Sequence, residues 1–466
     1  MRTIPIVPVA PPAPTGLAAF GDALRRHRGA IVALQWGVVL CYAVLVTVPA
    51  FMPLPESGAS MLSNLRLAAQ FAFWGLWWPF VIVSVMAFGR VWCGVLCPEG
   101  MLTELASRHG RGRSIPRWMR WAGWPLVAFA ATTVYGQLVS VYEYPDATLL
   151  ILGGSTLAAV AVGALYGRGG KRVWCRYLCP VSGVFALLAK VTPLHYRSDP
   201  HQWHRYDGPR ERVDCAPLID LRHLTSASEC HACGRCSGHR GAIALALRSP
   251  NREILERDGA PAPNPYPARL LVFGLLGLAP GAFQWSANPW FIALKQGAAQ
   301  WLLERGHDAL FRDDLPWWLL THQPEAGDVF SALDGLAILA FLAGSTIVLG
   351  GATWLALRAA AHLCGLTPSR WHRLAPALIP LAGTGLFLGL SMMTLTQLRA
   401  EGIVPSWIGA ARIALLGIGA AWSAWLGARV IARFAAAPLR WLGAWLCYLV
   451  PVAMSVTVWA RFFLGR

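Results

Sequence analysis

Leu67 to Pro98 reads LAAQFAFWGLWWPFVIVSVMAFGRVWCGVLCP, and this stretch carries both signals on which the fold turns. Residues 67 to 89 form a continuous apolar run without a charge, long enough for a helix of about 20 residues to cross the hydrocarbon of a bilayer. A strand of a membrane barrel would alternate in polarity instead. The run ends in a cysteine motif, C-x-x-x-C-P. The rest of the chain keeps the same balance. Of 466 residues, 56% are hydrophobic and 14% charged, where soluble domains carry about 25% charged residues. A soluble cytosolic enzyme, a disordered regulator and a disulfide-rich secreted module are excluded on that ground. The fold class is all-α, a polytopic transmembrane helical bundle.

Nine spans are expected, at about 30–52, 67–89, 121–142, 147–166, 270–288, 330–357, 374–397, 407–428 and 441–460. The 40 Lys and Arg against 23 Asp and Glu give +17, and the location of the excess decides its meaning. Arg25, Arg26 and Arg28 precede the first span, Arg90, Arg108, Arg111, Arg113, Arg117 and Arg120 follow the second, and Lys171, Arg172 and Arg176 follow the fourth. Arg358, Arg370 and Arg373 follow the sixth span, and Arg429, Arg433 and Arg440 the eighth. The opposite loops hold Glu143, Asp146, Glu304, Asp308, Glu325 and Asp328. By the positive-inside rule the N-terminus is cytoplasmic and the C-terminus outside. The basic excess is thus a topology signal, and no nucleic-acid partner is expected. The Pro-rich residues 4–20 lack the apolar core of a cleavable signal peptide, so the first span is expected to target the chain to the membrane.

The motif recurs. Arg90-Val91-Trp92-Cys93-Gly94-Val95-Leu96-Cys97-Pro98 matches Arg172-Val173-Trp174-Cys175-Arg176-Tyr177-Leu178-Cys179-Pro180 at seven of nine positions, 82 residues on. Each copy follows a pair of spans, so the first 190 residues read as a duplicated hairpin with a cysteine loop. Proline suits the first position of a helix, and helical runs follow at Glu99–Ser107 and Val181–Lys190. Cys97 and Cys179 are then expected as N-caps, where the dipole favours a thiolate. Two hairpins in the same orientation bring their loops together, so Cys93, Cys97, Cys175 and Cys179 are expected to form one metal or redox site, either iron-sulfur or copper.

A second group reads Cys230-His231-Ala232-Cys233-Gly234-Arg235-Cys236, with Cys215 fifteen residues before it. C-x-x-C-x-x-C wraps one corner of a [4Fe-4S] cluster, and a fourth ligand completes it. The usual fourth cysteine is absent, since position 240 is arginine. Cys215 is the natural replacement and His239 the alternative. Zinc is the competing metal, because four cysteines also suit a tetrahedral ion. A reducing cytoplasm argues against structural disulfides here. Cys41, Cys364 and Cys447 stand alone; the two of these within spans, Cys41 and Cys447, are expected to pack as small apolar residues.

Paired C-x-x-x-C-P hairpins followed by a C-x-x-C-x-x-C loop resemble the membrane polyferredoxins of the NapH and NosR type, with the CcoG/RdxA group as a close relation. The resemblance covers residues 30–245. It implies electron transfer at the inner, cytoplasmic membrane of a bacterium, between a quinol or a cytoplasmic donor and a respiratory or maturation partner. Family members often carry two complete four-cysteine ferredoxin motifs, whereas this chain has one triplet plus Cys215. The expected organisation is a cytoplasmic arm (1–29), a four-span repeat (30–193), a polar cytoplasmic iron-sulfur segment (194–266) ending in the linker Ala260 to Pro267, and a five-span membrane domain (267–466). An outer interfacial segment at 289–329 holds Trp301, Trp317 and Trp318. The chain is expected to move electrons rather than to make bonds, so no catalytic residue is assigned. A copper-reducing assembly factor and a zinc-stabilised membrane scaffold are the other classes. His362, His372, Met392, Met393 and Gly350-Gly351 are expected to be interfacial or packing residues rather than ligands.

Overall fold

The computed structural model describes residues 16–56, 58–208, 213, 215–256 and 264–464, and it is mostly helical. Eight helices among the described residues are long and apolar enough to cross a membrane: Arg28–Phe51, Leu65–Phe88, Pro145–Tyr166, Tyr266–Ala287, Ala332–Leu363, Pro368–Ala400, Ile408–Ile431 and Pro438–Leu464. The chain is a multi-pass membrane protein. Tyr266–Ala287 and Pro368–Ala400 sit at the centre, with 72% and 61% of their apolar windows buried against 22% for Arg28–Phe51.

The span expected at 121–142 is corrected to a helix of fifteen residues, Trp124–Leu138. At 1.5 Å per residue the helix itself makes about 22 Å, and its flanking turns carry the chain the rest of the way, from Trp121 beside Tyr266 to the Leu138 carbonyl, which accepts from the Thr321 amide at 2.9 Å. Pro125 fixes its first turn. Its end is set where Ser140 adopts a left-handed φ of 47° and the Val141 amide turns back to the Gly136 carbonyl at 2.9 Å. The helix packs against Tyr266–Ala287 and Ala332–Leu363 inside the bundle.

Lipid is as apolar as leucine, so helices in a bilayer are held by close packing, and small residues mark where backbones meet. Gly163 and Gly167 form such a seam on Pro145–Tyr166 and its end. A Cβ at Gly163 would lie 2.5 Å from the Thr103 carbonyl, and one at Gly167 2.4 Å from Ser107 Cβ. Thr103 and Ser107 belong to the helix Pro98–Arg108 that follows the first cysteine loop. The seam therefore ties the first loop of the repeat to the hairpin that carries the second. Gly350, expected to serve packing, sits on Phe273, with only 2.7 Å available for a Cβ.

The polar segment corrects the all-α expectation. Leu194–Ser198 (β1) and Ile243–Leu247 (β2) pair antiparallel, from Leu194 opposite Leu247 to Ser198 opposite Ile243. Between them the chain makes the cysteine triplet. Arg248, directly after β2, fastens this unit to the membrane domain: Nε donates to the Thr192 carbonyl at 3.0 Å and Nη2 to those of Ala189 and Lys190 at 3.2 Å, at the end of the helix Ser182–Val191. Glu253 pairs with Arg248 at 2.8 Å and accepts from the Ser226 and Ser228 hydroxyls at 2.6 and 2.9 Å. The N-terminal arm is not a free tail over its described part. Helix Gly16–Arg26 lies on the unit, and Asp22 accepts from the Ser237 hydroxyl at 2.8 Å. Residues 1–15 of the expected arm, and 260–263 of the linker, lie outside the described residues. The segment at 289–329 holds a helix, Pro289–Leu303, capped by Asn288, and a short strand pair, His322–Gln323 with Asp328–Val329.

Candidate metal centres

The four cysteines of the repeat are gathered around one cavity. Cys93 lies in a wide helical turn, Trp92–Leu96, and Cys97 caps the helix Pro98–Arg108, its sulfur accepting from the Gly100 amide at 3.4 Å. Cys175 lies in the short helix Val173–Tyr177. Cys179 departs from the expectation: the next helix begins at Ser182, so Cys179 sits in the preceding turn and is no N-cap. The Ser182 hydroxyl explains the delay, because it donates to the Cys175 carbonyl at 2.8 Å and accepts from Arg90 Nη2 at 2.8 Å, which holds the chain in a turn. Burial works against the thiolate character expected of these positions. Burial pushes the Cys97, Cys175 and Cys179 thiols up, and repulsion among the tetrad and from Glu99 pushes in the same direction. A bound cation would favour their thiolate forms.

Cys215, Cys230, Cys233 and Cys236 surround a second, smaller cavity with Tyr196, Pro217, Ile219 and Leu221. Left-handed backbone at Ala232 (φ 48°) and Gly234 (φ 77°) curls the loop inward, and the Ala232 amide donates to the Cys230 sulfur at 3.4 Å. His239, the alternative fourth ligand, instead lies edge-on to Trp203 with ring centres 5.5 Å apart. Cys41, Cys364 and Cys447 line neither cavity. His362 is exposed, and His372 Nδ1 pairs with the Ser369 carbonyl at 3.1 Å.

Each tetrad offers four cysteine sulfurs, the donor set that a [4Fe-4S] cluster takes, and among the described residues no three His, Cys, Asp or Glu are drawn close enough to hold one metal ion.

Two duplicated arginines cross between the copies. Arg172 of the second loop donates to the Cys93 carbonyl of the first, and Arg90 of the first reaches Ser182 beside the second. Both arginines are buried, at 1% and 4% exposure, which places positive charge where a thiolate-bound cluster would carry negative charge. Sequence reasoning missed these roles, although both arginines stand in the repeated motif itself.

The first cavity does not end at the sulfurs. It continues between the spans, with a volume of about 270 Å³, along Tyr42, Phe73, Trp74, Trp77, Phe129 and Tyr142. Besides the cysteines and the aromatic side chains, its polar groups are few: Arg90, Glu99, Thr132, Thr133, Ser155 and Ser182. Glu99 accepts from Trp174 Nε1 at 3.1 Å, and burial holds its carboxyl above the usual range. Wide helical turns at Phe71–Trp77 and Leu149–Gly153 present several of these side chains; such turns are frequent at functional sites.

The family described as 4Fe-4S binding domain matches residues 70–116 and 150–197, so it falls on the two C-x-x-x-C-P hairpins rather than on the cysteine triplet. The regulatory protein NosR of Pseudomonas aeruginosa is 26% identical over 182 residues, 34% of this chain and 25% of the relative. The putative electron transport protein YccM of Escherichia coli is 25% identical over 181 residues, 34% and 50% of the two chains. Protein NirI of Paracoccus denitrificans is 28% identical over 224 residues, 44% and 32%. The matched part thus spans a quarter to a half of the length of these curated relatives. No solved structure matches the chain. The duplicated hairpins carry the 4Fe-4S binding domain, and over this part the chain is similar to the membrane polyferredoxins of the NosR type.

Proposed function

We propose that this protein holds two [4Fe-4S] centres at the cytoplasmic face of a bacterial inner membrane and passes electrons between a membrane quinol and a soluble or respiratory partner. One centre takes Cys93, Cys97, Cys175 and Cys179, and the other Cys215, Cys230, Cys233 and Cys236. The N-terminal helix, both loops and the polar segment lie inside, as the clustered arginines require. The observation that carries the reading is the cavity that runs from the spans to the thiols of the repeat. An apolar cavity of about 150 Å³ already accepts benzene, so about 270 Å³ admits one substituted ring. The aromatic walls exclude water and stack on that ring. Ser155 and Glu99 offer hydrogen bonds to its hydroxyls. Oxidation of a quinol releases two electrons and two protons, and when bound the clusters supply one-electron acceptors.

Filling the cavity tests this. In Thr133→Phe, reduction of the protein by a short-chain quinol should fall at least about ten-fold, the scale on which a lost pocket contact is felt, while reduction by dithionite stays at the unmodified rate. Equal quinol reduction in both proteins would reject the cavity as the site. The ligand set has its own test: Cys215→Ala should remove half of the iron and acid-labile sulfide, and His239→Ala none. The reverse pattern would make His239 the fourth ligand.

A further inference from the structure

The two copies of the loop motif differ at two positions only, Gly94 against Arg176 and Val95 against Tyr177. The first of these differences lies where the second centre touches the first. A Cβ at position 94 would stand 2.0 Å from the His231 carbonyl oxygen and 3.0 Å from Cys233 Cβ and its amide nitrogen. Gly94 does not need unusual torsion angles; it is the lack of a side chain that lets the two cysteine loops meet backbone to backbone. In the other copy Arg176 reaches the same loop by an ion pair with Glu229 at 3.0 Å, which keeps the two backbones a side chain apart.

Buried polar groups close around this contact. Gln35 Nε2 donates to the Gly94 carbonyl at 3.1 Å, and Arg172 donates to the carbonyls of Cys93 and Gly94. Arg172 Nε donates to Glu104 at 2.9 Å, and the same carboxylate receives Arg235 Nη2 at 2.6 and 2.7 Å. Arg235 stands between Cys233 and Cys236. A single carboxylate, 2% exposed, therefore ties an arginine of the repeat to an arginine of the triplet loop. Ala186 stands at the equivalent place in the second copy. The duplication departs from symmetry where the triplet loop sits.

We propose that the Gly94 contact is the bridge by which electrons pass between the two centres, and that the Arg172–Glu104–Arg235 chain is the clamp that keeps it closed. The proposal rests on the two-centre reading above. The step moves one electron from one centre to the other, with no bond made or broken and no proton transferred. Electronic coupling falls steeply with each ångström of gap, and packed backbone carries it better than empty space. Alanine at 94 must retreat from 2.0 Å to an ordinary contact of about 3.5 Å, which opens the junction by about 1.5 Å.

The test uses the purified full-length protein with its iron and sulfide content measured. The fully reduced unmodified protein should show magnetic interaction between two paramagnetic centres in low-temperature EPR. After mixing with less than one electron equivalent of dithionite, the electron should redistribute quickly between them. Gly94→Ala should keep both clusters, weaken the interaction and slow redistribution several-fold, because electron tunnelling decays with the width of the gap. Glu104→Gln, which slackens the clamp without adding an atom, should move both signals the same way. Arg176→Ala should move neither. Unchanged interaction and rate in Gly94→Ala and Glu104→Gln, with both clusters present, would overturn the bridge and leave the two-centre reading standing. Iron and sulfide for a single cluster in the unmodified protein would overturn that reading and the bridge with it.

Discussion

Cys97→Ser and Cys179→Ser should each stop electron transfer from quinol, and the double variant should be no worse than either. Serine is a good N-cap, so at position 97 it keeps the bond from the Gly100 amide and the helix Pro98–Arg108 stays capped. The loss then reports chemistry rather than folding. A serine hydroxyl is a far weaker iron ligand than a cysteine sulfur, so three sulfurs and a hydroxyl hold a cluster far less well than four sulfurs. The loss should be at least about 100-fold, the upper end of what a supporting outer-shell group alone is worth. Members of one site do not add. Iron content should fall by half in all three variants, with the signal of the triplet centre retained. Partial losses that multiply in the double variant would mean two separate loops rather than one centre.

Gly163→Val has the second largest effect, and it acts without touching a cysteine. The Cβ at Gly163 would meet a backbone carbonyl, Thr103, at 2.5 Å and the Thr103 hydroxyl at 2.8 Å. A backbone atom cannot swing aside as a side-chain tip can, so the helix Pro98–Arg108 must move away from Pro145–Tyr166. Overpacking in a tight core costs about 1–3 kcal/mol, and the seam is tight along its length, with Gly167 against Ser107 and Gly110 against the Gly167 carbonyl. The displaced helix carries Cys97 with it, away from Cys175 and Cys179. Iron bound at the repeat should fall to a small fraction, and the thermal midpoint should drop, while Gly154→Val on the same span, where nothing lies within 4 Å, leaves both unchanged. Equal iron in the two variants would show that the seam does not position the tetrad.

Much of this was legible in the residue pattern. Continuous apolar runs required helices in a bilayer, and the duplicated motif with its two prolines required two equivalent turns. The pattern overestimated one helix, Trp124–Leu138, because hydropathy counts apolar residues through the flanking turns at Trp121 and Val139, and it does not register where hydrogen bonding stops. It missed β1 and β2, which are five residues each and read as loop in a segment dominated by Arg and His. It placed Cys179 as a cap by analogy with Cys97, since the bond between Ser182 and Arg90 that delays the helix comes from 92 residues away. The Gly163–Gly167 seam and its partners, Thr103 and Ser107, came from the structure.

What the sequence determined by itself is the set of local properties: which segments are too apolar for water, which turns carry cysteine, and which four-residue spacings suit a metal cluster. These follow from each residue's own chemistry and from the period of the backbone. The tertiary structure alone decided that the family's cluster domain and the triplet loop abut at Gly94, and that an aromatic chamber leads to the sulfurs of the repeat. Those are contacts across tens to hundreds of residues. They depend on how closely two backbones can approach, which is set jointly by both partners, and one strand of sequence names only one partner at a time.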